Sequence, residues 1–206
     1  MYLERIPAGI YAANCYLIAC QKTNKAAVID PGGDAETILQ KIKTNGFELE
    51  YIILTHGHGD HIGGVEEIKK NSDARILIHK EDEYLIKNAA KNLSSLMSGP
   101  DVAFLADSFL EDGETINLGE LELKVIHTPG HTPGGISIKV GDMIFTGDTL
   151  FANSIGRTDF EGGSFEAIIS SIKNKLLIYD DGVKVYPGHG PESTIGIERV
   201  KNPFLR

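Results

Sequence analysis

Three histidines and an aspartate fall within six residues of the segment "ILTHGHGDHIGG": His56, His58, Asp60 and His61. Imidazole nitrogens and carboxylate oxygens together suit zinc, iron or manganese. Residues two apart on an extended segment point the same way, so His56 and His58 could share one ion. Asp60 and His61 follow a turn later and could face a second ion. A histidine-rich surface loop is the alternative, but four potential ligands in so short a segment disfavour it.

The position of this segment supports a metal site. The preceding residues 51–55, "YIILT", form a continuous apolar run that is typical of a strand buried on both faces. Sites in α/β folds gather at the carboxyl ends of such strands. Gly57 and Gly59 separate the ligands, and we expect them to permit unusual backbone angles and to leave room for the metals.

Three further candidates follow predicted strands and lie near glycines: His131 in "HTPGHTPGG", Asp148 in "MIFTGDTLF" and His189 in "VKVYPGHG". Two ions about 3.5–4 Å apart would use all seven groups. The other two histidines have simpler interpretations, His79 as a helix-entry or surface residue and His127 as a packing residue.

The order of the predicted elements indicates the fold. Strands are predicted at "NCYLIAC", "KAAVID", "YIILT" and "RILIH", with helices at "AETILQKIKTNG" and "VEEIKKN" and one or two helices over "EDEYLIKNAAKNLSSLM". The charged run Lys80–Glu83 is interpreted as a solvated helix start. The second half has predicted strands at "ETINL", "LELKVIHT", "GISIKV", "DMIFTG" and "VKVYP", and helices over "SFEAIISSIKNKLL" and near "TIGIERVKN". Two β-rich halves, each with helices, predict two sheets packed face to face with helices outside.

Composition narrows the class of protein. The 206 residues contain no linker-like tract, so we expect a single domain over residues 1–206. A net charge of -9 argues against nucleic acid as a partner. We expect no membrane association, because no apolar run could cross a bilayer and the N-terminus does not have the pattern of a secretory signal. Cys15 and Cys20 are expected on opposite faces of a strand, which disfavours a disulfide and fits a cytoplasmic location.

The motif "THGHGDHIGG", followed in order by His131, Asp148 and His189, resembles the metallo-β-lactamase superfamily from about Asn14 to Pro203. The segments "GDTLFANSIGRTDFEGGS" and "YPGHGPESTIGIERVKNPFL" are similar to those of small, single-domain glyoxalase II-like hydrolases. The resemblance implies an α/β fold, namely a four-layer αββα sandwich of two mixed sheets flanked by helices, with the metals at one edge of the sheets.

The resemblance also implies how two divalent ions would be held, with zinc expected first and iron or manganese as alternatives. The implied ligands are His56, His58 and His131 for one ion, Asp60, His61 and His189 for the other, and Asp148 between them. A hydroxide bridging the metals would attack the carbonyl of a thioester, with Asp60 and Asp148 as catalytic carboxylates.

The implied substrate is a small molecule, an acylglutathione or a similar thioester, acted on by a monomer or a small homo-oligomer. The chain stops at Arg206, about where full-length glyoxalase II enzymes begin a helical extension that contacts glutathione, so we expect that contact to be missing. Arg157 is a candidate for binding a substrate carboxylate, or alternatively pairs with Asp159. Phe151 and Tyr186 are candidates for the pocket wall, with a place in the core as their alternative.

Two other activities remain open at this point. A mononuclear iron persulfide dioxygenase would use His56, His131 and Asp148, and that family tends to carry alanine where Gly59 stands. A lactonase or another ester hydrolase is the second alternative. A non-catalytic binding protein of the same fold is disfavoured, because all seven ligand positions are intact.

Overall fold

Two six-stranded mixed sheets form the centre of the protein, and the computed structural model describes all residues 1–206. The first sheet contains, in spatial order, β1 (Tyr2–Ala8), β2 (Ala13–Ala19), β3 (Lys25–Ile29), β4 (Glu48–Ile53), β5 (Arg75–His79) and β6 (Ser108–Leu110). The pairs among β1, β2 and β3 are antiparallel, whereas β3 to β6 run parallel. The parallel part places the carboxyl ends of β3, β4 and β5 at one edge.

The second sheet comes from the rest of the chain. Its strands are β7 (Thr115–Leu118), β8 (Leu121–His127), β9 (Ile136–Val140), β10 (Met143–Gly147), β13 (Lys184–Pro187) and β14 (Ser193–Thr194), and a separate hairpin contains β11 (Leu150–Phe151) and β12 (Ser154–Ile155). The spatial order is β14-β13-β10-β9-β8-β7, and β10 pairs with β13 in parallel. The parallel pair brings the ends of β10 and β13 to the same edge.

Helices cover the outer faces of both sheets. They are α1 (Ala35–Thr44), α2 (Gly59–Ile62), α3 (Val65–Lys70), α4 (Glu83–Ile86), α5 (Phe165–Ser171) and α6 (Ile195–Lys201). Short 3-10 turns occupy Lys80–Asp82 and Ser94–Leu96, and a π-helical turn over Ile172–Leu176 continues α5. None of these helices has the length and apolar character needed to traverse a lipid bilayer.

Alternating side chains of the strands build three apolar layers between these elements. On β2, Leu17 packs outward under the helices of the first half, whereas Tyr16 and Ile18 face the second sheet. Phe145 of β10 fills the layer between the sheets, and Ile144 beside it packs under α5. The predicted four-layer αββα sandwich is therefore confirmed.

The first strand was not predicted from the sequence. β1 pairs with β2 along its whole length, from Tyr2 opposite Ala19 to Ala8 opposite Ala13. Pro7 within this stretch is tolerated because β1 lies at the edge of the sheet, where one side of the strand needs no partner.

The prediction of one or two helices over residues 81–97 holds for only part of this range. Only α4 and the two 3-10 turns are helical there. The Asn88 side chain accepts hydrogen bonds from the backbone N–H groups of Ala90 and Lys91, and Leu93 adopts a left-handed conformation with φ of 69°. Side-chain bonds of this kind compete with helical hydrogen bonding, so the chain turns instead.

Replacing Phe145 by alanine tests the layer between the sheets. Because Phe145 is completely buried, we expect the free energy of unfolding to fall by about 3–5 kcal/mol. Urea denaturation followed by circular dichroism measures this loss. Phe165→Ala is the matched control, since Phe165 is 53% exposed, and an equal loss in both variants would contradict the assignment of the core.

Candidate metal centre

All seven predicted metal ligands meet at the edge where strands of both sheets end. The loop after β4 and the start of α2 supply four of them, and single residues after β8, β10 and β13 supply the rest: His56, His58, Asp60 and His61, then His131, Asp148 and His189. Neither sheet provides a complete set. The site therefore depends on the packing of one half of the chain against the other.

The first group of ligands is His56, His58 and His131. One ring nitrogen of each lies within 4.8 Å of the others, and His58 Nδ1 is 2.9 Å from His131 Nε2. All three side chains are buried. The spacing suits a single cation between them.

The second group is Asp60, His61 and His189, whose ligand atoms also lie within 4.8 Å of one another. His61 Nε2 is 3.2 Å from His189 Nε2, and Asp60 Oδ2 is 3.1 Å from the same His189 nitrogen. This group lies beside the first: the ring centroids of His56 and His61 are only 4.2 Å apart.

Asp148 lies between the two groups. Its Oδ2 atom is 3.7 Å from His131 Nε2 and 3.7 Å from His189 Nε2. A carboxylate in this position can serve two cations at once. The arrangement matches the division of ligands that the resemblance implies.

Two buried polar atoms in the cluster lack hydrogen-bond partners, namely His56 Nε2 and Asp148 Oδ1. Leaving such atoms unpaired in the interior is costly, so native proteins satisfy almost all of them. Cations bound by the surrounding nitrogen and oxygen donors would satisfy both atoms. The residues present thus fit two divalent metal ions, and the assignment of individual ligands stays a prediction.

Four of the ligands have pKa values that favour the metal-binding form of the cluster, whereas His61 does not. Burial and the neighbouring imidazoles hold the pKa of His56 well below its usual range, and burial together with His131 lowers the pKa of His58 to about 3. Burial opposes ionisation of Asp60 and Asp148, but the adjacent His61 outweighs it, so both carboxyl pKa values are lowered. Neutral imidazoles and ionised carboxylates are the forms that bind metal. At His61 burial is outweighed by the carboxylates of Asp148 and Asp60, which raise the pKa well above its usual range, so a metal ion has to displace a proton from this imidazole.

Asp30, at the end of β3, organises two of the ligands. Its carboxylate accepts hydrogen bonds from the Thr55 N–H (2.7 Å), from the Thr55 hydroxyl (2.5 Å) and from His61 Nδ1 (3.0 Å). The Thr55 oxygen in turn lies 3.2 Å from His56 Nδ1 and can accept a hydrogen bond from the protonated nitrogen. These bonds turn the free nitrogens of His56 and His61 toward the cluster. The sequence prediction missed Asp30, whose only signal was a carboxylate at a strand end before "PGG".

Asp82 was also missed, because it was assigned to a solvated charged run. It is completely buried and joins the two ligand loops: it accepts hydrogen bonds from the N–H groups of Gly57 (3.0 Å) and Gly134 (2.7 Å) and from the Thr132 hydroxyl (2.8 Å). Burial raises the pKa of Asp82 to about 6. Its carboxylate thus fixes the loop of the first half against the loop that carries His131.

The expected role of Gly57 and Gly59 was wrong. Neither has a positive φ, and neither faces the space between the ligands. A Cβ on Gly57 would lie 2.6 Å from Leu85 Cβ, and a Cβ on Gly59 would lie 3.0 Å from Ser94 and 3.1 Å from Met97 Sδ. Gly57 therefore lets the ligand loop pack closely against α4, and Gly59 lets it pack against the segment that follows α4.

Strand β2 of the first sheet holds the loop that carries His189. The Asn14 side chain and the Tyr16 hydroxyl both donate to the Pro187 carbonyl, at 2.9 and 2.7 Å, and the Asn14 N–H donates to the Gly188 carbonyl at 2.7 Å. The last ligand in sequence is therefore positioned by residues near the start of the chain.

A pocket of about 690 Å³ opens above the cluster. Phe151 and Arg157 line it, as two of the three proposed substrate contacts. The third, Tyr186, does not line it, because its ring packs against Tyr16 and Phe145 between the sheets. Tyr186 is thus a core residue.

The remaining two histidines lie together outside this cluster. The rings of His79 and His127 stack with their centroids 4.0 Å apart, and His127 Nε2 lies 2.8 Å from the Pro133 carbonyl oxygen. His79 also precedes the 3-10 turn Lys80–Asp82 and accepts a hydrogen bond from the Glu81 N–H at 3.3 Å, which is the helix-entry position expected from the sequence.

A family model of the metallo-beta-lactamase superfamily matches residues 8–189 of this sequence. The chain belongs to the metallo-beta-lactamase superfamily. This membership agrees with the sandwich and with the convergence of histidines and aspartates at its edge. It confirms the superfamily and the fold that the motifs indicated.

Individual relatives cover nearly the whole chain. The hydroxyacylglutathione hydrolase GloC of Haemophilus influenzae is 39% identical over 209 residues, which cover 100% of this chain and 98% of that protein. The crystal structure of the B3 metallo-beta-lactamase BLEG-1 is 36% identical, with a TM-score of 0.93 and 99% of each chain covered. The structure of TTHA1623 in a di-iron-bound form is 33% identical, with a TM-score of 0.87, 98% of this chain and 100% of that chain covered.

These relatives support the coarse expectation of a metal-dependent hydrolase within the superfamily. They carry different names, so the substrate does not follow from them. Divalent metal is expected from the ligand cluster, and its identity is a separate question.

Replacing Asp30 by asparagine tests the organisation of the ligands. The amide cannot accept all three hydrogen bonds that the carboxylate accepts, so we expect metal affinity to fall roughly 10- to 100-fold. Competition with a chromophoric chelator measures the affinity. The exposed Asp73 provides the control variant Asp73→Asn, and an unchanged affinity in Asp30→Asn would remove Asp30 from the site.

Proposed function

We propose that this protein is a dinuclear thioesterase of the glyoxalase II type, which cleaves an acylglutathione or a similar thioester. The observation that carries the proposal is the pair of adjacent ligand groups with Asp148 between them, at the floor of a pocket. The similarity to a protein named hydroxyacylglutathione hydrolase supports the same reaction.

Each of the two ligand groups would bind one metal ion. His56, His58 and His131 would hold one ion and Asp60, His61 and His189 the other, with Asp148 serving both. When bound, two divalent ions supply Lewis acidity, which makes water acidic enough to act as a nucleophile and polarises a carbonyl. Zinc fits a mixed imidazole and carboxylate set, and iron and manganese fit it as well.

Two carboxylates of the site, those of Asp60 and Asp148, can interact with the proton of the attacking water. Asp60 borders the pocket and lies beside His189, and its lowered pKa keeps it ionised at neutral pH. An ionised carboxylate in this position can orient the attacking water and accept its proton. Asp148 borders the same pocket and is ionised for the same electrostatic reason.

The rest of the pocket favours a thioester over an amide or an alkyl ester. Apart from the cluster itself, the lining contains no imidazole and no carboxylic acid, so it offers no separate residue of those types to protonate a leaving group. A thiol has a pKa near 8.5 and leaves as its thiolate without such help. The lactonase alternative would require expulsion of a much more basic alkoxide.

The mononuclear dioxygenase alternative leaves part of the structure unexplained. Iron held by His56, His131 and Asp148 would not involve Asp60, His61 or His189. Those three side chains nevertheless converge within ligand distance of one another, and Asp30 orients His61 toward them. A second metal position therefore favours hydrolysis.

The proposal extends to the cellular location, the partners and the oligomeric state of the protein. A chain with net charge -9 and a pocket for small molecules is suited to a soluble metabolite in the cytoplasm, without nucleic acid or membrane as a partner. A monomer or a small homo-oligomer is sufficient, because one chain carries every proposed ligand.

Metal analysis combined with activity assays tests the proposal. We expect two metal ions per chain and hydrolysis of thioesters, with S-lactoylglutathione, a simple ester and a lactone as the comparison panel. One iron per chain, with oxygen uptake on glutathione persulfide and no hydrolysis, would establish the dioxygenase instead.

Single substitutions test the ligand assignment. His56→Ala and Asp148→Ala remove groups from the cluster, so we expect each to abolish turnover and to lower the metal content. His79→Ala is the control, because His79 stacks on His127 outside the cluster and turnover should stay nearly intact. Equal losses in all three variants would show that the ligands have been misassigned.

A further inference from the structure

We propose, building on the thioesterase function, that the preferred substrate is a thioester with an uncharged aliphatic acyl chain on a neutral thiol carrier, instead of an acylglutathione with its anionic peptide carrier. The chain would lie along an apolar wall that rises from the metal cluster. The lining of the pocket, its charge and the way in which the wall is attached to the ligand loop support this assignment.

Half of the pocket lining is apolar. The seven residues that form this apolar wall are Tyr11, Leu93, Leu96, Met97, Phe151, Ile155 and Phe160. Leu96 is 81% exposed and Tyr11 is 57% exposed, although large apolar side chains are normally buried. Exposed apolar residues grouped around a concave site mark a surface that binds an apolar ligand.

Apart from the proposed metal ions, the lining has almost no cationic side chain to bind the free carboxylates of a glutathione carrier. Arg157 is the only cationic residue of the lining outside the histidine ligands. Its guanidinium forms two hydrogen bonds with the Asp159 carboxylate, at 2.8 and 2.7 Å, and lies 3.8 Å above the centre of the Phe160 ring. The charge of Arg157 is therefore already compensated by Asp159.

The apolar wall is fixed to the ligand loop and is not a loose surface segment. The Asn92 carbonyl accepts a hydrogen bond from the Gly59 N–H at 2.7 Å, and the buried Asn92 side chain donates to the carbonyls of Leu85 and Val102. Leu93 follows in its left-handed conformation, which a leucine adopts only when its surroundings enforce it. The wall thus begins directly beside the reacting groups.

Gly59 is what allows this close attachment. A Cβ at this position would meet Ser94 at 3.0 Å and Met97 Sδ at 3.1 Å. An alanine would push the 94–97 segment away from the cluster. The glycine in the ligand motif therefore sets the distance between the metal cluster and the apolar wall.

A series of neutral thioesters tests the preference. Metal-loaded protein is assayed with the acetyl, butanoyl, hexanoyl and octanoyl thioesters of N-acetylcysteamine and with S-lactoylglutathione. We expect kcat/KM to rise about two- to fourfold per added methylene, as burial of a methylene in an apolar site predicts. S-lactoylglutathione should be a poorer substrate than the butanoyl thioester.

Variants of the wall connect this preference to the structure. Leu96→Ser should reduce the ratio of octanoyl to acetyl kcat/KM by about 3- to 10-fold. Gly59→Ala should reduce the same ratio when it is compared with the unchanged protein at equal metal content. Leu105→Ser is the matched control, because Leu105 is 68% exposed but lies outside the pocket, and it should keep the original ratio.

Binding of thioethers separates this inference from the proposed reaction. S-octyl-N-acetylcysteamine cannot be hydrolysed, and calorimetry should show that it binds more tightly than the S-ethyl compound, with the difference reduced in Leu96→Ser. Thioether binding of this kind without hydrolysis of any thioester would overturn the thioesterase and retain the apolar site. Hydrolysis without dependence on chain length, or with S-lactoylglutathione as the best substrate, would overturn the apolar preference alone.

Discussion

The carboxylate of Asp30 is the interaction on which the site most depends. It is buried at the end of β3 and accepts hydrogen bonds from Thr55 and His61, and through Thr55 it also orients His56. Without it, closely spaced imidazoles would be free to rotate and to exchange which nitrogen faces the cluster. Asp82 acts in a comparable way on the backbone, because it joins the ligand loop to the loop that carries His131. Buried acids outside the predicted set of seven ligands thus orient the ligand side chains and loops.

Much of the fold and of the ligand set could be predicted, because both depend on short sequence patterns: apolar runs that form strands and polar residues that follow them. The apolar runs of β4 and β10 mark strands, and His56, Asp148 and His189 lie directly after strands, so their convergence follows from the rule that strand ends meet at one edge. β1 escaped prediction because an edge strand needs only one apolar face and tolerates Pro7.

The contacts that hold the site could not be predicted in the same way. Asp82 looks like any residue of a charged run until the chain folds and buries it against Gly57 and Gly134. Gly59 is explained by Ser94 and Met97, which lie more than thirty positions later in the sequence. Tyr186 was a candidate for the pocket wall with a place in the core as its alternative, and strand alternation turns its ring into the layer between the sheets.

The division of the ligands between the two sheets gives the metal a second role. His56 and His61 belong to the first half of the chain, whereas His131, Asp148 and His189 belong to the second, and Asn14 and Tyr16 reach from β2 to the loop of His189. An ion bound by both halves acts as a cross-link, and its binding energy adds to the stability of the folded state. The same coordination that supplies the chemistry therefore makes the resistance of the sandwich to unfolding a function of the free metal concentration around it.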